Sequence, residues 1–303
     1  MTIPMIDFES GEAVCDWLEL TDALAAGHDL PKAEIGDTFL YRDPDTLLSR
    51  SAWIDGMGLA VKSATVFPGN SAKGKPMVGG AVSIFSDSDG ALEAILDFRL
   101  VTKWKTAGDS LLGARKLARP DSQTILIVGA GTVGHSLHAA YGALFPKADF
   151  LIWNRSAEGA ARFATETGAT VVSDLEAAVR QADIVTTATM TMAPIIDGDW
   201  LKPGTHLDMI GAYRPDMREA NDTALTRGRI FVDSRATTLD HIGELKDPIA
   251  RGVISADDVV ADYYDLSSFT REEDDITVFK NGGGAHLDLM TARYILDRWQ
   301  RGQ

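Results

Sequence analysis

The sequence predicts an α/β protein: a Rossmann-type doubly wound parallel sheet domain joined to a discontinuous α+β domain. Three observations carry this. From about residue 120 to 275, short apolar runs alternate with helix-period segments, the pattern of buried parallel strands linked by crossover helices. One run, "TILIVG", leads into the spacing Gly129-x-Gly131-x-x-Gly134 at the start of a helix. The first 115 residues instead string strand-like runs together through turn residues, which favours antiparallel pairing.

In chain order, "GLAVKSATVF", "GGAVSIFSD" and "ALEAILDF" read as strands separated by turn residues, including "PGN", "KGKP" and "SDSDG". "TAGDSLLGARKLARP" follows as an amphipathic helix that Pro120 stops, since proline has no N–H to donate. Behind "TILIVG", Val133, Leu137, Ala140 and Leu144 recur at spacings of three and four, one face of a helix. "DFLIWN" is the next strand. "SAEGAARFATETG" is a helix with Ser156 at its N-cap and Gly168 placed to end it. "ATVV", "DIVTTAT", "THLDMIG" and "RIFVDS" are further strands, with "DLEAAVRQA" and "REANDTALTRG" as helices between them. "AHLDLMTARYILDRWQ" is a terminal amphipathic helix whose apolar face requires a partner. The expected organisation is therefore residues 1–118 completed by the helix 285–303, and residues 119–284 as the parallel-sheet domain. No internal repeat or low-complexity linker is visible.

Composition narrows the function classes. The 303 residues carry 29 basic and 44 acidic side chains, a formal net charge of −15, which repels nucleic acid and anionic membranes. Neither is an expected partner. No apolar run is long enough to span a bilayer and the N-terminus is acidic, so a cytoplasmic protein is expected. The single cysteine, Cys15, excludes an internal disulfide and reads as a small core residue. The six histidines form no cluster of metal-ligand spacing, so no metal site is expected.

The glycine spacing acquires meaning from its place between strand and helix. Gly129 permits a tight turn, Gly131 lets backbone approach a pyrophosphate, and Gly134 lets helix and strand pack closely. Ala130, Thr132 and Val133 complete the turn, and the helix N-terminus favours phosphate charge. Twenty residues beyond Gly134 stands Asn154, where an NAD site usually has an acid that would repel a 2′-phosphate. Arg155 and Ser156 follow with a charged fork and a hydroxyl. The expected cofactor is NADPH, with NADH/NAD as the alternative.

Taken together, "VKSATVFPGN", "TKWKTAGDSLLGARKLARPDS", "VGAGTVG", "IWNRS", "ADIVTTAT", "IGAYRPDMREA" and "ITVFKNGGGAHLDL" are far more specific than the glycines alone. Through them the chain, from about Arg42 to the terminal helix, resembles the ornithine cyclodeaminase/mu-crystallin family in its reductase-like branch. The resemblance implies a homodimer of chains built from a substrate-binding and dimerisation domain plus a Rossmann domain, with the active site in the cleft between them. It also implies that Arg42, Lys62 and Lys105 bind a substrate carboxylate. Lys105 stands where the commoner form has arginine, which keeps the charge but loses the bidentate fork. Thr189, Gly211 and Asn281 fall in segments that the resemblance places at the cofactor, Thr106 is a phosphate ligand or a helix cap, and Asp288 orients groups or caps the terminal helix.

One departure bears on the reaction. Cyclodeaminase members carry an aspartate two residues before the proline of a "GGDxP"-like loop, and this chain reads "GAYRP", with Tyr213 there. A phenol with an ordinary pKa near 10 is a poor base at neutral pH. The expected activity is therefore NAD(P)H-dependent reduction of a small imino acid of the Δ1-pyrroline-2-carboxylate or ketimine type. The alternatives are an ornithine cyclodeaminase or amino acid dehydrogenase of the same family, and an NADPH-dependent ligand-binding protein of mu-crystallin type.

Overall fold

A computed structural model describes residues 3–302, and the chain divides into two compact units, Met1–Lys105 with Gly284–Gln303, and Thr106–Gly283. Among the described residues, the first unit holds a six-stranded sheet of β1 (Met5–Ile6), β2 (Glu34–Arg42), β3 (Asp45–Ile54), β4 (Gly58–Val66), β5 (Val78–Phe85) and β6 (Leu92–Asp97). Its spatial order is β1-β6-β5-β4-β3-β2, antiparallel from β2 to β6, with β1 parallel to β6. Helices α1 (Phe8–Glu12) and α2 (Trp17–His28) precede β2, and the terminal helix Ala285–Arg301 packs on β3, β4, β5 and α2. Alternation along the strands puts Arg50, Ala52, Ala60, Lys62, Val82 and Leu96 on one face.

The second unit carries β7 (Thr124–Val128), β8 (Asp149–Trp153), β9 (Thr170–Val171), β10 (Ile184–Thr187), β11 (His206–Met209), β12 (Arg229–Val232), β13 (Val259–Ala261) and β14 (Thr277–Lys280). They form a parallel sheet of order β13-β12-β14-β11-β10-β7-β8-β9. Helices α3 (Phe98–Leu117), α4 (Thr132–Leu144), α5 (Ala157–Thr167), α6 (Leu175–Gln181), α7 (Asp222–Arg227), α8 (Arg235–Thr238) and α9 (Gly243–Ala250) complete the helical set of this stretch, α3 running through the boundary between the units. The apolar runs are explained by depth: Leu126, Val128, Val185, Leu207, Val232 and Val278 are fully buried. Each such side chain contributes about 1.5–3 kcal/mol relative to exposure. The strand order reverses between β7 and β10, the switch point beside which ligands of such sheets bind.

Several expectations need correction. Position 118 is not the boundary, because the C-terminal half of α3 packs within the second unit: Gly113 lies against the Phe279 ring and the Ser110 hydroxyl donates to Asp208 at 3.1 Å. The helix also begins at Phe98, where the Asp97 carboxylate accepts the Arg99 and Leu100 N–H groups, so Thr106 is mid-helix and caps nothing. The long hairpin β2–β3 is absent from the sequence reading because β2 is exposed along its whole length, apolar residues included, and β3 is half-buried over most of its length, so neither strand alternates cleanly. Strand β14 lies between β11 and β12, beyond the expected end of the sheet at 275. Helix α7 is short because Glu219 and Ala220 give their N–H groups to the Glu244 carboxylate at 2.7 and 3.0 Å instead of to a helix turn.

Candidate functional site

The glycine turn leaves β7 at the switch point. Gly129 has φ +116, and a Cβ there would meet the Ala188 carbonyl oxygen at 2.7 Å; one at Gly134 would meet the Gly129 carbonyl oxygen at 2.2 Å. Both positions require glycine. A Cβ at Gly131 would meet nothing within 4 Å, so its backbone faces open space, as approach by a pyrophosphate requires. Gly131 is the N-cap of α4 and Thr132 and Val133 open that helix, aiming its first N–H groups into the same region.

Asn154 ties the turn to the end of β8. Its Oδ1 accepts the Ala130 N–H at 3.2 Å and its Nδ2 donates to the Ser156 carbonyl at 3.1 Å. Ser156 caps α5, its hydroxyl oxygen accepting the Gly159 N–H at 3.2 Å, which leaves its O–H free in direction. Arg155 is exposed. A cavity of about 330 Å3 is lined by Gly129, Gly131, Asn154, Arg155, Thr189 and Thr191. A larger cavity of about 670 Å3 in this unit is walled by Arg218, Arg251, Asp222 and Asp247. Those four are ion-paired with one another at 2.6–3.0 Å, and of these two cavities the glycine turn lines the smaller.

Thr189 and Gly211 reach this region by a route the sequence did not reveal. The buried Glu219 carboxylate accepts the Thr189 N–H and hydroxyl on Oε1 at 2.7 and 2.6 Å, and the Gly211 and Ala212 N–H groups on Oε2 at 2.7 and 3.3 Å. Burial and the charge of Glu244 push Glu219 up to about 7, against the opposing charge of Lys280. Lys280 is fully buried at the end of β14, donating to the Met209 and Asn281 carbonyls at 2.8 and 2.7 Å. Asn281 is itself buried, and its amide donates to Ser110 and Asp208 at 3.1 and 2.8 Å. Its Nδ2 therefore belongs to a buried network, while its Oδ1 is buried without a hydrogen-bond partner among the described residues.

The cationic cluster assembles in the first unit. Lys62 on β4 donates to Asp288 Oδ1 at 2.8 Å and to Thr102 at 3.0 Å, and its ammonium lies 4.7 Å from the centre of the Phe98 ring. Lys105 lies 3.4 Å from the same carboxylate. Phe98, Thr102 and Lys105 present one face of α3, being spaced by four and three. Both lysines are 6% exposed and Asp288 1%, so two cations share one buried anion. Burial alone would raise the Asp288 carboxyl, but Lys105 and Lys62 outweigh it and hold it below the usual carboxylate range. Burial, with the charges of His28 and Lys105, holds His286 on the same helix well below its ordinary range, hence neutral. Asp288 is in the first turn of the terminal helix, whose N-cap is Gly284, so it combines a place favourable to an anion with its ion pairs.

Arg42 does not join this cluster. It ends β2 on the opposite sheet face from Lys62, its side chain is 78% exposed, and it pairs with Asp45 at 2.6 Å. Arg50 stands where Arg42 was expected: it is the direct neighbour of Lys62 across β3–β4, on the same face, and its charge acts on Asp288. A signal for it existed, since Arg50 and Lys62 are each six positions from Gly56 at the hairpin turn and so pair by symmetry. Tyr213 lies in the loop after β11, 59% exposed, and the acid that follows it, Asp216, is bound to Arg214 at 2.7 Å. Among the described residues no group of His, Cys, Asp and Glu could hold a metal, and no helix is long and apolar enough to cross a membrane.

The parallel sheet with its switch-point glycine turn defines a protein of the Rossmann dinucleotide-binding class. Residues 53–303 match the model of the ornithine cyclodeaminase/mu-crystallin family, and the chain belongs to that family. It is 53% identical over 289 residues to the Δ1-pyrroline-2-carboxylate reductase of Paracoccus denitrificans, covering 92% of each chain. It is 32% identical over 249 residues to the ketimine reductase mu-crystallin of Mus musculus, covering 81% of this chain and 77% of the relative. The structure of Thermococcus litoralis Δ1-pyrroline-2-carboxylate reductase in complex with NADH and L-proline superposes with a TM-score of 0.87 at 22% identity, over 99% of this chain and 98% of that one, a likeness of fold.

Proposed function

We propose that the protein is a nicotinamide-dependent reductase of small cyclic imino acids, of the Δ1-pyrroline-2-carboxylate or ketimine type. The observation that carries this is the buried Lys62–Asp288–Lys105 cluster, in a chain 53% identical to a Δ1-pyrroline-2-carboxylate reductase. Two ammonium groups converge on one buried carboxylate. A substrate carboxylate would meet them through charge-assisted hydrogen bonds of about 1.5–3 kcal/mol each. Arg50 adds positive field from the neighbouring strand, and Thr102 and Asp288 fix the direction of the Lys62 ammonium.

A bound nicotinamide would supply the hydride. The chain's own contribution is orientation and charge: the lysines hold the acid group, and Asp288 holds the lysines. Imine reduction starts from an electrophilic C=N carbon and needs no strong base, which fits a loop with Tyr213 exposed and Asp216 ion-paired. Cyclodeamination must first deprotonate an amine, and in this loop Tyr213 stands where cyclodeaminase members carry the aspartate.

Gly129, Ala130, Gly131, Thr132, Val133 and Gly134 would hold the pyrophosphate, with Thr189 and Gly211 on the loops beyond it. NADPH is the preferred form in this reading, because Asn154 spends its amide on Ala130 and Ser156 and puts no carboxylate beside the ribose, while Arg155 is exposed to meet a phosphate. The outer face of the first unit's sheet exposes Leu40, Leu47 and Trp53, an apolar surface suited to a homodimer. The test is oxidation of NADPH and NADH over a panel of cyclic imino acids and of keto acids with and without amines. Turnover confined to the imino acids is expected; tight NADPH binding without turnover of any would favour a binding protein instead.

A further inference from the structure

We infer that Glu219 is the positioning residue of the dinucleotide cavity, fixing both ends of the Thr189–Ile196 wall and tying that wall to Gly211. The inference rests on the cofactor part of the proposed function. Glu219 holds the wall by two independent means. Its side chain takes the N–H and hydroxyl of Thr189 at one end, and its backbone carbonyl takes the N–H groups of Ile195 and Ile196 at 2.9 and 3.0 Å at the other. Arg218 adds a backbone bond to the Thr191 carbonyl at 3.1 Å. Between these fixed ends the chain is open to solvent, with Met190 and Met192 71% and 64% exposed. Such a loop has little apolar burial of its own to define its course, so its position follows from its ends.

The other carboxylate oxygen reaches the loop after β11. A Cβ at Gly211 would lie 1.9 Å from the Thr189 carbonyl oxygen and 2.5 Å from Glu219 Oε1, so glycine there serves this packing. Glu219 is held in turn by Glu244, which accepts the N–H groups of Glu219 and Ala220, and the charge of Lys280 opposes the repulsion between the two acids. Four donors converge on one carboxylate, and an amide in its place presents one acceptor oxygen and one N–H2 group that repels two of them. The wall touched by those donors lines the same cavity as Gly129, Gly131 and Asn154.

The experiment is titration of the full chain with NADPH alone, followed by protein fluorescence, for the unmodified protein, Glu219→Gln and Thr189→Val. Glu219→Gln is expected to weaken NADPH binding at least tenfold. The KM for the imino acid and kcat at saturating NADPH are expected to change less than about threefold, a split that general loss of structure would not give. Thr189→Val, which removes only the hydroxyl donor, is expected to weaken binding by a smaller factor in the same direction. A folded Glu219→Gln protein that binds NADPH as the unmodified chain does, or that loses all three constants equally, overturns the inference. If Glu219→Gln does not fold, unchanged binding by Thr189→Val overturns it as well. Where the unmodified protein binds NADH instead of NADPH, the same titration is read with NADH; failure to bind either cofactor overturns the functional reading itself, whereas binding without imine turnover removes the substrate assignment and leaves Glu219 in its role.

Discussion

The Lys62 ammonium lies 2.8 Å from the Asp288 carboxylate, with side chains only 7% and 1% exposed. β4 of the antiparallel sheet supplies the cation and the chain's terminal helix supplies the anion, 226 residues apart in sequence. The pair is shared with Lys105 at 3.4 Å, so Asp288 answers to two cations at once.

Removing that anion should be severe. Asp288→Asn removes the buried carboxylate that Lys62 and Lys105 share, and stability is expected to fall by about 3–5 kcal/mol in urea unfolding. A loss below about 1 kcal/mol would mean that solvent reaches the lysines.

The two arginines separate by register. Arg50→Ala is expected to lower kcat/KM for the imino acid by tenfold or more, whereas Arg42→Ala changes it less than about twofold, because Arg42 is on the far face. A large effect of Arg42→Ala on a dimeric enzyme, with none from Arg50→Ala, would reverse this assignment.

The proposed cofactor choice is tested at the end of β8. Arg155→Ala is expected to weaken NADPH binding about 10- to 100-fold, the loss of one charge-assisted bond of about 1.5–3 kcal/mol, and to leave NADH nearly unchanged. Asn154→Asp should shift preference toward NADH, measured as the ratio of the two dissociation constants. Equal losses for both cofactors would make the loop purely structural.

The acids behind the cofactor cavity give stability a pH dependence of definite sign. Burial and Glu244 raise Glu219 from its ordinary 4.5 to about 7, so the folded protein binds that proton more tightly than the unfolded chain does. Stability from this group is therefore greatest below about pH 4.5 and falls as pH rises to about 7. Glu244, Asp208 and Asp233, all raised by burial, act in the same sense. Asp288 acts oppositely and only in acid, its contribution being complete above its ordinary 3.8 and lost as pH falls below it. Buried His206, held down to about 3, and His286 and His138, both lowered by burial, act in the opposite sense over this range, so the test is a difference: between pH 5 and 8 the thermal midpoint of Glu219→Gln relative to the unmodified chain should rise with pH, and a difference that stays constant contradicts the assignment.

Reaction type is tested at Tyr213. Ammonia release from L-ornithine with NAD or NADP is expected to be absent, while imino acid reduction is measurable. Robust ammonia and proline formation would mean that another group supplies the base.

Much of this protein was legible because its signals are local. The order of strands and helices in the second unit, the glycine turn, the caps at Ser156 and Gly168 and the place of Asn154 each depend on residues within a few positions of one another. Lys62, Lys105 and Asp288 were identified through short motifs, though nothing local said that they meet. The misreadings lie where the decisive contact is distant. Arg42 reads like a member of the cluster but strand register sends it to the other sheet face, and the Nδ2 of Asn281 is held by Ser110 and Asp208, 171 and 73 residues away.

The sequence by itself determined the alternating α/β pattern and the dinucleotide turn, since hydrophobic period and glycine sterics act over a turn or a strand. Only the tertiary structure decided which charges share a buried volume. Strand register put Arg50 beside Lys62 and sent Arg42 to the other face, the terminal helix brought Asp288 between two lysines, and Glu219 became a lock on Thr189 and Gly211. The physical reason is that a buried charge persists only where its partners converge, and that convergence is set by pairing and packing across the whole fold.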